Sequence, residues 1–285
     1  MDRQAEIKRR LMLSIEKMPS LPTTVTKVIE LANDVNSSAR EMLKVIQMDP
    51  VLTAKVLKLI NSAFFGMPNK ISLKQALVML GINTIKNLAL STAIIGQMGS
   101  SKIKVTNFDQ YRFWEHSLGA GIAAKKICLR IESDPRIGDE YFVAGLVHDI
   151  GKVVMALALP KFFANTIVKA QADELSSVKA ETDEMGLDHT EVGGILAEKW
   201  KLGENLIAST SYHHDPQEGQ HRLVWAIHVA NYFLAKKGYP NSNDFAEPWV
   251  HENAFDHLGI SEDVVEEDLS SLSDEIQKAT VFLQS

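Results

Sequence analysis

The residues best equipped for chemistry are Val147-His148-Asp149-Ile150-Gly151-Lys152, where an imidazole and a carboxylate come from adjacent positions of one backbone segment. These are two of the ligand types that zinc, iron and manganese take. Lys152 follows the histidine by four residues. On a helix that is one turn, where an ammonium can meet a phosphate as a point charge. One His-Asp pair does not complete a metal site. The other ligands must come from elsewhere in the chain.

All nine histidines lie after residue 107, and the first 105 residues contain none. His116 sits in Phe113-Trp114-Glu115-His116-Ser117, and His148 follows 32 residues later, the length of one helix and its return. His189 lies in Asp188-His189-Thr190-Glu191, a helix start. His213-His214 closes the next helix candidate, ahead of Asp215-Pro216. His228 and Asn231, three apart, share one face of the following helix. Each histidine alone reads as an ordinary surface or packed residue, and His221, His251 and His257 are taken so. One imidazole or carboxylate from each of several consecutive helices, in apolar surroundings, instead points to a shared pocket inside a bundle.

Composition narrows the chemistry. The single Cys128 excludes an intramolecular disulfide and any thiolate zinc finger. A metal must therefore be held by His, Asp, Glu or Asn. A net charge of -6 argues against a large phosphate-binding surface, so no nucleic-acid partner is expected. The N-terminus, MDRQAEIKRRLMLSIEKM, is charged and amphipathic, unlike a signal peptide. With no run of about 18 apolar residues, the expectation is a cytoplasmic protein without membrane insertion.

The elements that must position these residues read as helices. Asp49-Pro50 is a cap followed by proline at the first helical position, with Leu52, Val56, Leu59 and Ile60 at helical spacing. Ser72-Leu73-Lys74-Gln75 has capping-box form, with the helix ending at Gly81 and another starting at Asn83 or Thr84. Ser38 to Glu41 opens a short helix, and Thr24 to Ala32 is a further one. No alternating run supports a strand. The fold class is therefore all-α. Residues 1–105 form an N-terminal helical part, residues 106–240 the histidine-bearing part, and residues 241–285 an acidic C-terminal extension. The stretch 97–107 links the first two. Helix candidates in the later parts span about 109–132, 139–159, 160–180, 189–200, 203–214, 220–237 and 270–283. Between Asp244 and Glu275 there are eleven acidic residues and no Lys or Arg. This suggests a solvated face or a loosely held tail, with docking of a basic partner as the alternative.

The order His…His-Asp…His…His-His…Asn resembles the HD superfamily of metal-dependent phosphohydrolases. The first half carries a more specific likeness. Leu21-Pro22 within MPSLPTTVTKVIELAND, Asp49-Pro50-Val51-Leu52-Thr53, Asn61-Ser62-Ala63-Phe64-Phe65-Gly66, Ile71-Ser72-Leu73-Lys74-Gln75-Ala76 and Leu80-Gly81 resemble the HDOD domain, the HD-related output domain of bacterial signalling proteins. DHTEVGGILAEKW and YHHDP resemble its later motifs, so the likeness runs from about residue 14 to 235.

The resemblance implies an HD-like helical bundle. It implies one or two divalent ions (iron, manganese, magnesium or zinc) on His116, His148, Asp149 and Asn231, with His189, His213 and His214 serving a second ion or the substrate. Asn231 departs from the pattern, which has a carboxylate there, and a neutral amide oxygen is the weaker ligand. The related HD-GYP phosphodiesterases have a Gly-Tyr-Pro loop after the histidine pair. Gly238-Tyr239-Pro240 comes too late to match it and is read as coincidence. Two functions follow from the likeness. One is a signalling module with a degenerate site, binding a ligand, a metal or a signalling protein in trans. The other is a working phosphohydrolase on a small phosphate-containing ligand, with Asp149 and Lys152 as catalytic residues.

Overall fold

The structure is a computed structural model and describes residues 3–34, 36–62, 69–99, 103–239, 244–280 and 283. Helices account for its architecture, and there is no strand among the described residues. The sequence motif residues Ala63, Phe64, Phe65 and Gly66 lie outside the described residues, as do residues 100–102 of the link and Pro240.

Five helices precede the link: α1 (Arg3–Lys17), α2 (Thr23–Asn33), α3 (Ala39–Gln47), α4 (Pro50–Ile60) and α5 (Leu73–Ile94). Their starts follow from local chemistry. Ser38 and Ser72 form reciprocal capping boxes with Glu41 and Gln75, and the Asp49 carboxylate accepts from the Leu52 amide ahead of Pro50. Helix α5 is two helices across a break at Gly81, whose φ of 84° is open to glycine and costly for other residues. The expected end and restart are therefore both present. Helices α2 to α5 pack on one another, and α5 also meets the later bundle. Helix α1 goes elsewhere and lies against helices from the second half.

That half continues with α6 (Gln110–Ile131), α7 (Gly138–Val147), α8 (Ile150–Ala158), α9 (Pro160–Asp173), α10 (Ser177–Met185), α11 (His189–Lys199), α12 (Glu204–Tyr212) and α13 (Arg222–Lys236). The expected single helix over 139–159 is in fact α7 and α8, broken at His148-Asp149, where Asp149 has φ -99° and ψ 9°. The candidate over 160–180 likewise divides, at Glu174, which adopts a left-handed conformation. Apolar periodicity runs through both breaks, so it could not reveal them. Helix α1 packs on α8, α10 and α11. Its last turn is held by Lys199, whose Nζ donates to the Ile15, Glu16 and Met18 carbonyls at 2.7 Å each. A helix end leaves such carbonyls short of partners, and only that of Ile15 also accepts from a backbone amide, that of Met18 at 3.1 Å, among the described residues.

The acidic extension is not a loose tail. Helices α14 (Ala254–Leu258), α15 (Glu262–Asp268) and α16 (Leu272–Ala279) bury Leu258, Val265, Leu269, Leu272 and Ile276 against α6 and α13. Its carboxylates meet cations from earlier helices: Arg130 grips Asp268 with two hydrogen bonds of 2.6 and 2.7 Å, Lys126 pairs with Glu275, and Lys236 with Glu262. The missing basic residues are thus supplied across the sequence.

Two stretches, Leu73–Gly99 and Pro135–Ala158, are apolar and long enough to cross a membrane by length and composition. Both are interrupted, at Gly81 and at Asp149, and both are mostly buried in the protein's own core.

Close approach of α8 to α11 fixes the His-Asp segment. A Cβ on Gly151 would lie 1.9 Å from the His189 carbonyl oxygen and 2.8 Å from the Gly193 amide nitrogen. Gly151→Ala must push two backbones apart, and is expected to cost about 3 kcal/mol, at the upper end of overpacking. Urea unfolding checks this, and an unchanged midpoint would show that the two helices have room to spare.

Candidate functional site

Four of the sequence-selected histidines meet Asp149 in the interior, where His148, Asp149, His189, His213 and Lys152 are all fully buried. The Asp149 carboxylate divides its two oxygens between two groups. Oδ2 lies 3.3 Å from His148 Nε2 and 3.9 Å from His116 Nε2. Oδ1 lies 3.0 Å from His189 Nε2 and 3.6 Å from His213 Nε2. His214 completes the second group, in which one ligand atom from each of Asp149, His189, His213 and His214 falls within 4.8 Å of the others.

Helix ends explain why these rings point inward. His148 closes α7, and its Nδ1 donates to the Gly145 carbonyl at 2.7 Å. His213 closes α12, and its Nδ1 donates to the Thr210 carbonyl at 3.0 Å. Both bonds satisfy last-turn carbonyls that a helix leaves open. His189 opens α11 instead. Its backbone N–H and its Nδ1 both donate to Glu181 Oε2, at 2.9 and 2.6 Å. His116, inside α6, donates from Nδ1 to the Tyr239 carbonyl at 2.8 Å. A carbonyl can only accept, so the proton of His116, His148 and His213 is fixed on Nδ1 and the Nε2 lone pair faces the centre.

Those Nε2 atoms are the informative ones. The Nε2 of His116, His148, His213 and His214 are all buried with no hydrogen-bond partner, and His189 Nε2 lies 3.0 Å from Asp149 Oδ1 beside them. Buried polar atoms are rarely left so. A convergent set of imidazole nitrogens and one carboxylate, with the rings of His116, His148, His189 and His213 each oriented by a carbonyl or carboxylate behind it, has the donor types and outer support of a metal centre. The residues fit the divalent ion that the sequence implied.

Electrostatics favour the same state. Burial and the neighbouring imidazoles push His116 down to about 4 and His213 down to about 3, and burial holds His214 well below its ordinary value. These rings are neutral near pH 7, with a lone pair free to bind a cation. Burial raises the Asp149 carboxyl, but Lys152 and the His148 and His189 imidazoles outweigh it and hold the group well below the carboxylate range. His189 is the exception. Burial lowers it, yet the Glu181 and Asp149 carboxylates carry it up to about 9. In the metal-free chain it is an imidazolium, and an ion on Nε2 must replace that proton.

Other assignments resolve differently. Lys152 Nζ lies 3.2 Å from both Asp149 oxygens, so its first partner is the carboxylate one turn back. Asn231 stands on α13 one turn after His228 and lines a cavity wall that includes His214. His228 itself has both nitrogens engaged, Nδ1 donating to the His213 carbonyl at 2.7 Å and Nε2 accepting from the His251 amide at 2.9 Å. It braces a ligand. His221 caps α13, while His251 and His257 pack against Trp225. Sequence reasoning missed Glu181, eight residues before His189 in α10, because no spacing rule marks a buried carboxylate as the partner of a later helix start. It also missed Tyr239, set aside with Gly238 and Pro240, whose carbonyl orients His116.

Two outcomes test this geometry. Glu181→Gln leaves an acceptor but removes the charge behind His189, and metal affinity is expected to fall about 10- to 100-fold. A competitive chelator titration reads this, and unaltered affinity would remove Glu181 from the site. In metal-free protein, His116, His213 and His228 (about 4, about 3 and about 4) have folded values below the unfolded value of about 6.5. The unfolded chain binds their protons first, so stability falls as pH drops from about 6.5. His189, raised to about 9, stabilises below 6.5 and loses that contribution as pH climbs through 9. Urea midpoints after chelation are thus expected to peak near pH 6.5, with the acid side steeper. A flat profile would contradict the burial of these rings.

The chain was compared with known proteins. A family model described as the HDOD domain matches residues 18–216. An uncharacterized protein of Treponema pallidum (strain Nichols) is 26% identical over 204 residues, which are 70% of this chain and 38% of the relative's length. The crystal structure of an HDOD domain protein of unknown function from Geobacter sulfurreducens superposes with a TM-score of 0.79 at 24% identity, over 96% of this chain and 98% of that one. A provisionally named phosphohydrolase from Shewanella amazonensis superposes with a TM-score of 0.74 at 23% identity, over the same shares. At such identities the solved structures speak for the fold. The family model covers well over half of the sequence, and the chain belongs to the HDOD family.

Proposed function

We propose that the chain is a metal-dependent phosphohydrolase acting within bacterial signal transduction in the cytoplasm, with the histidine–aspartate cluster as its reaction centre. The observation that carries this reading is the division of Asp149, one oxygen towards His116 and His148 and the other towards His189 and His213. A carboxylate so placed suits a bridge between two cations. His116, His148 and Asp149 would hold one, and Asp149, His189, His213 and His214 the other. Imidazole and carboxylate donors suit iron, manganese or zinc, with magnesium the less favoured. Bound there, such ions polarise a phosphoryl oxygen and bring the pKa of bound water towards about 7.

The chain's own residues supply orientation and charge. Glu181, Tyr239, Gly145 and Thr210 fix the ring tautomers. Lys152 holds Asp149 in place and keeps a positive charge beside the reacting phosphate. Asp149 and Glu181 against Lys152 leave one net negative charge, so two dications turn the pocket strongly positive. A filled pocket of that sign attracts a phosphate. The phosphohydrolase name of the Shewanella amazonensis neighbour agrees with this reading.

A second reading has an observation of its own. Lys152 already neutralises Asp149, and neutral Asn231 stands where the HD superfamily has its last carboxylate. On that reading the domain binds a phosphate-bearing ligand without turning it over and passes its state to signalling proteins in trans.

Elemental analysis followed by turnover of bis(p-nitrophenyl) phosphate with manganese or iron separates them. Stoichiometric metal and hydrolysis are expected, both lost in His148→Ala. Metal without turnover would leave the ligand-binding module, and no metal after loading would end both forms of the metal reading. Asn231→Asp is expected to tighten metal binding, since a carboxylate replaces an amide.

A further inference from the structure

Beside the histidine cluster lies a cavity of about 610 Å³, of whose lining the metal reading uses only His214 and Asn231. His214 belongs to its wall, and the buried Nε2 of His214 has no hydrogen-bond partner. The cavity and the cluster therefore share a residue. The opposite wall is the segment 244–249, which the family model does not reach. That segment is fastened at both ends: the Phe245 amide donates to the Leu175 carbonyl at 3.4 Å, and the His251 amide to His228 at 2.9 Å.

The lining has a definite chemistry. It presents three carboxylates, Asp215, Asp244 and Glu247, and among the described residues no Lys or Arg. None of the three takes part in an ion pair among the described residues. It also presents Tyr232, Phe245 and Trp249. Trp249 is 59% exposed and Phe245 38%, large ring surfaces left open at the cavity. The Trp249 ring is braced edge-on by His228, with centroids 5.3 Å apart. The Tyr232 ring already has Lys236 Nζ 5.1 Å from its centroid, so the rings of Phe245 and Trp249 and the carboxylates together attract an organic cation: the ring quadrupoles face positive charge, and the carboxylates neutralise it. The same three carboxylates repel a second phosphate.

We infer that this cavity binds a positively charged amine, so that the ligand of the protein is a phosphate ester whose organic group carries a protonated or quaternary nitrogen. The ester half rests on the phosphohydrolase reading. The amine half stands on the cavity alone. A substrate with a phosphate at the cluster places its next group towards His214, and so against the carboxylates and rings. A cyclic dinucleotide, with its second anionic diester, is disfavoured by this wall.

The test compares choline with 3,3-dimethyl-1-butanol, which has the same shape without the charge, by calorimetric titration of the full chain. Choline is expected to bind at least about tenfold more tightly than the alcohol. Trp249→Ala and the double variant Asp244→Asn, Glu247→Gln are each expected to lower choline affinity about tenfold, with unchanged melting temperature. Equal binding of the two probes, or no binding of choline at millimolar concentration, would overturn the proposal. The titration is repeated after chelation, where choline binding is expected to persist. A choline-binding chain without hydrolysis defeats the enzyme reading and keeps the amine site. If the chain hydrolyses, p-nitrophenylphosphocholine is expected to exceed bis(p-nitrophenyl) phosphate in kcat/KM at least about tenfold, and the reverse order overturns the amine site while keeping the enzyme.

Discussion

A carboxylate and an ammonium sit at the centre of this protein with no exposed surface, and the surrounding structure is arranged to make that tolerable. Removing either charge from water is expensive, and the mutual attraction repays it only with good geometry and further partners. Asp149 has Lys152 at 3.2 Å on both oxygens and His189 at 3.0 Å, itself backed by Glu181. The chain thus alternates sign from Glu181 through His189 to Asp149 and Lys152. Each charge has an opposite neighbour. The helices that deliver them, α8, α10 and α11, are tied to one another by this series as well as by their apolar faces.

Helix termini do a second job here. An α-helix leaves carbonyls open at its end and amides at its beginning. Two histidines of the cluster close helices and spend Nδ1 on those carbonyls, while a third begins a helix and shares one carboxylate oxygen between its amide and its ring. The requirement that satisfies the backbone also fixes the tautomer and direction of the ring. Local folding and ligand placement are one event at these positions.

Much of this was legible in the sequence. The capping residues Ser38, Asp49 and Ser72 announce helix starts through their own side chains, and those helices begin where expected. The concentration of histidine after residue 107 located the site, and His116, His148, Asp149, His189, His213 and His214 do converge. What stayed hidden depends on tertiary proximity. The break at His148-Asp149 leaves no mark in apolar spacing, because both α7 and α8 are buried on nearly every side. Glu181 becomes a partner of His189 only once α10 folds back beside α11. The acidic extension looked solvated because its counter-charges, Lys126 and Arg130, sit more than a hundred residues earlier.

The region matched by the family model and the unit that must fold are different things in this molecule. The family match begins after α1 and stops before α13 begins. Yet α1 buries Ile7, Leu11 and Ile15 to 2% exposure or less over the helices that carry Asp149, Glu181 and His189. A fragment trimmed to the match would open that surface to water, lose the Lys199 clamp, and forfeit the Tyr239 carbonyl behind His116. The family model marks out a sequence pattern, whereas the physical unit extends into both flanks, which the solved HDOD structure from Geobacter sulfurreducens also covers.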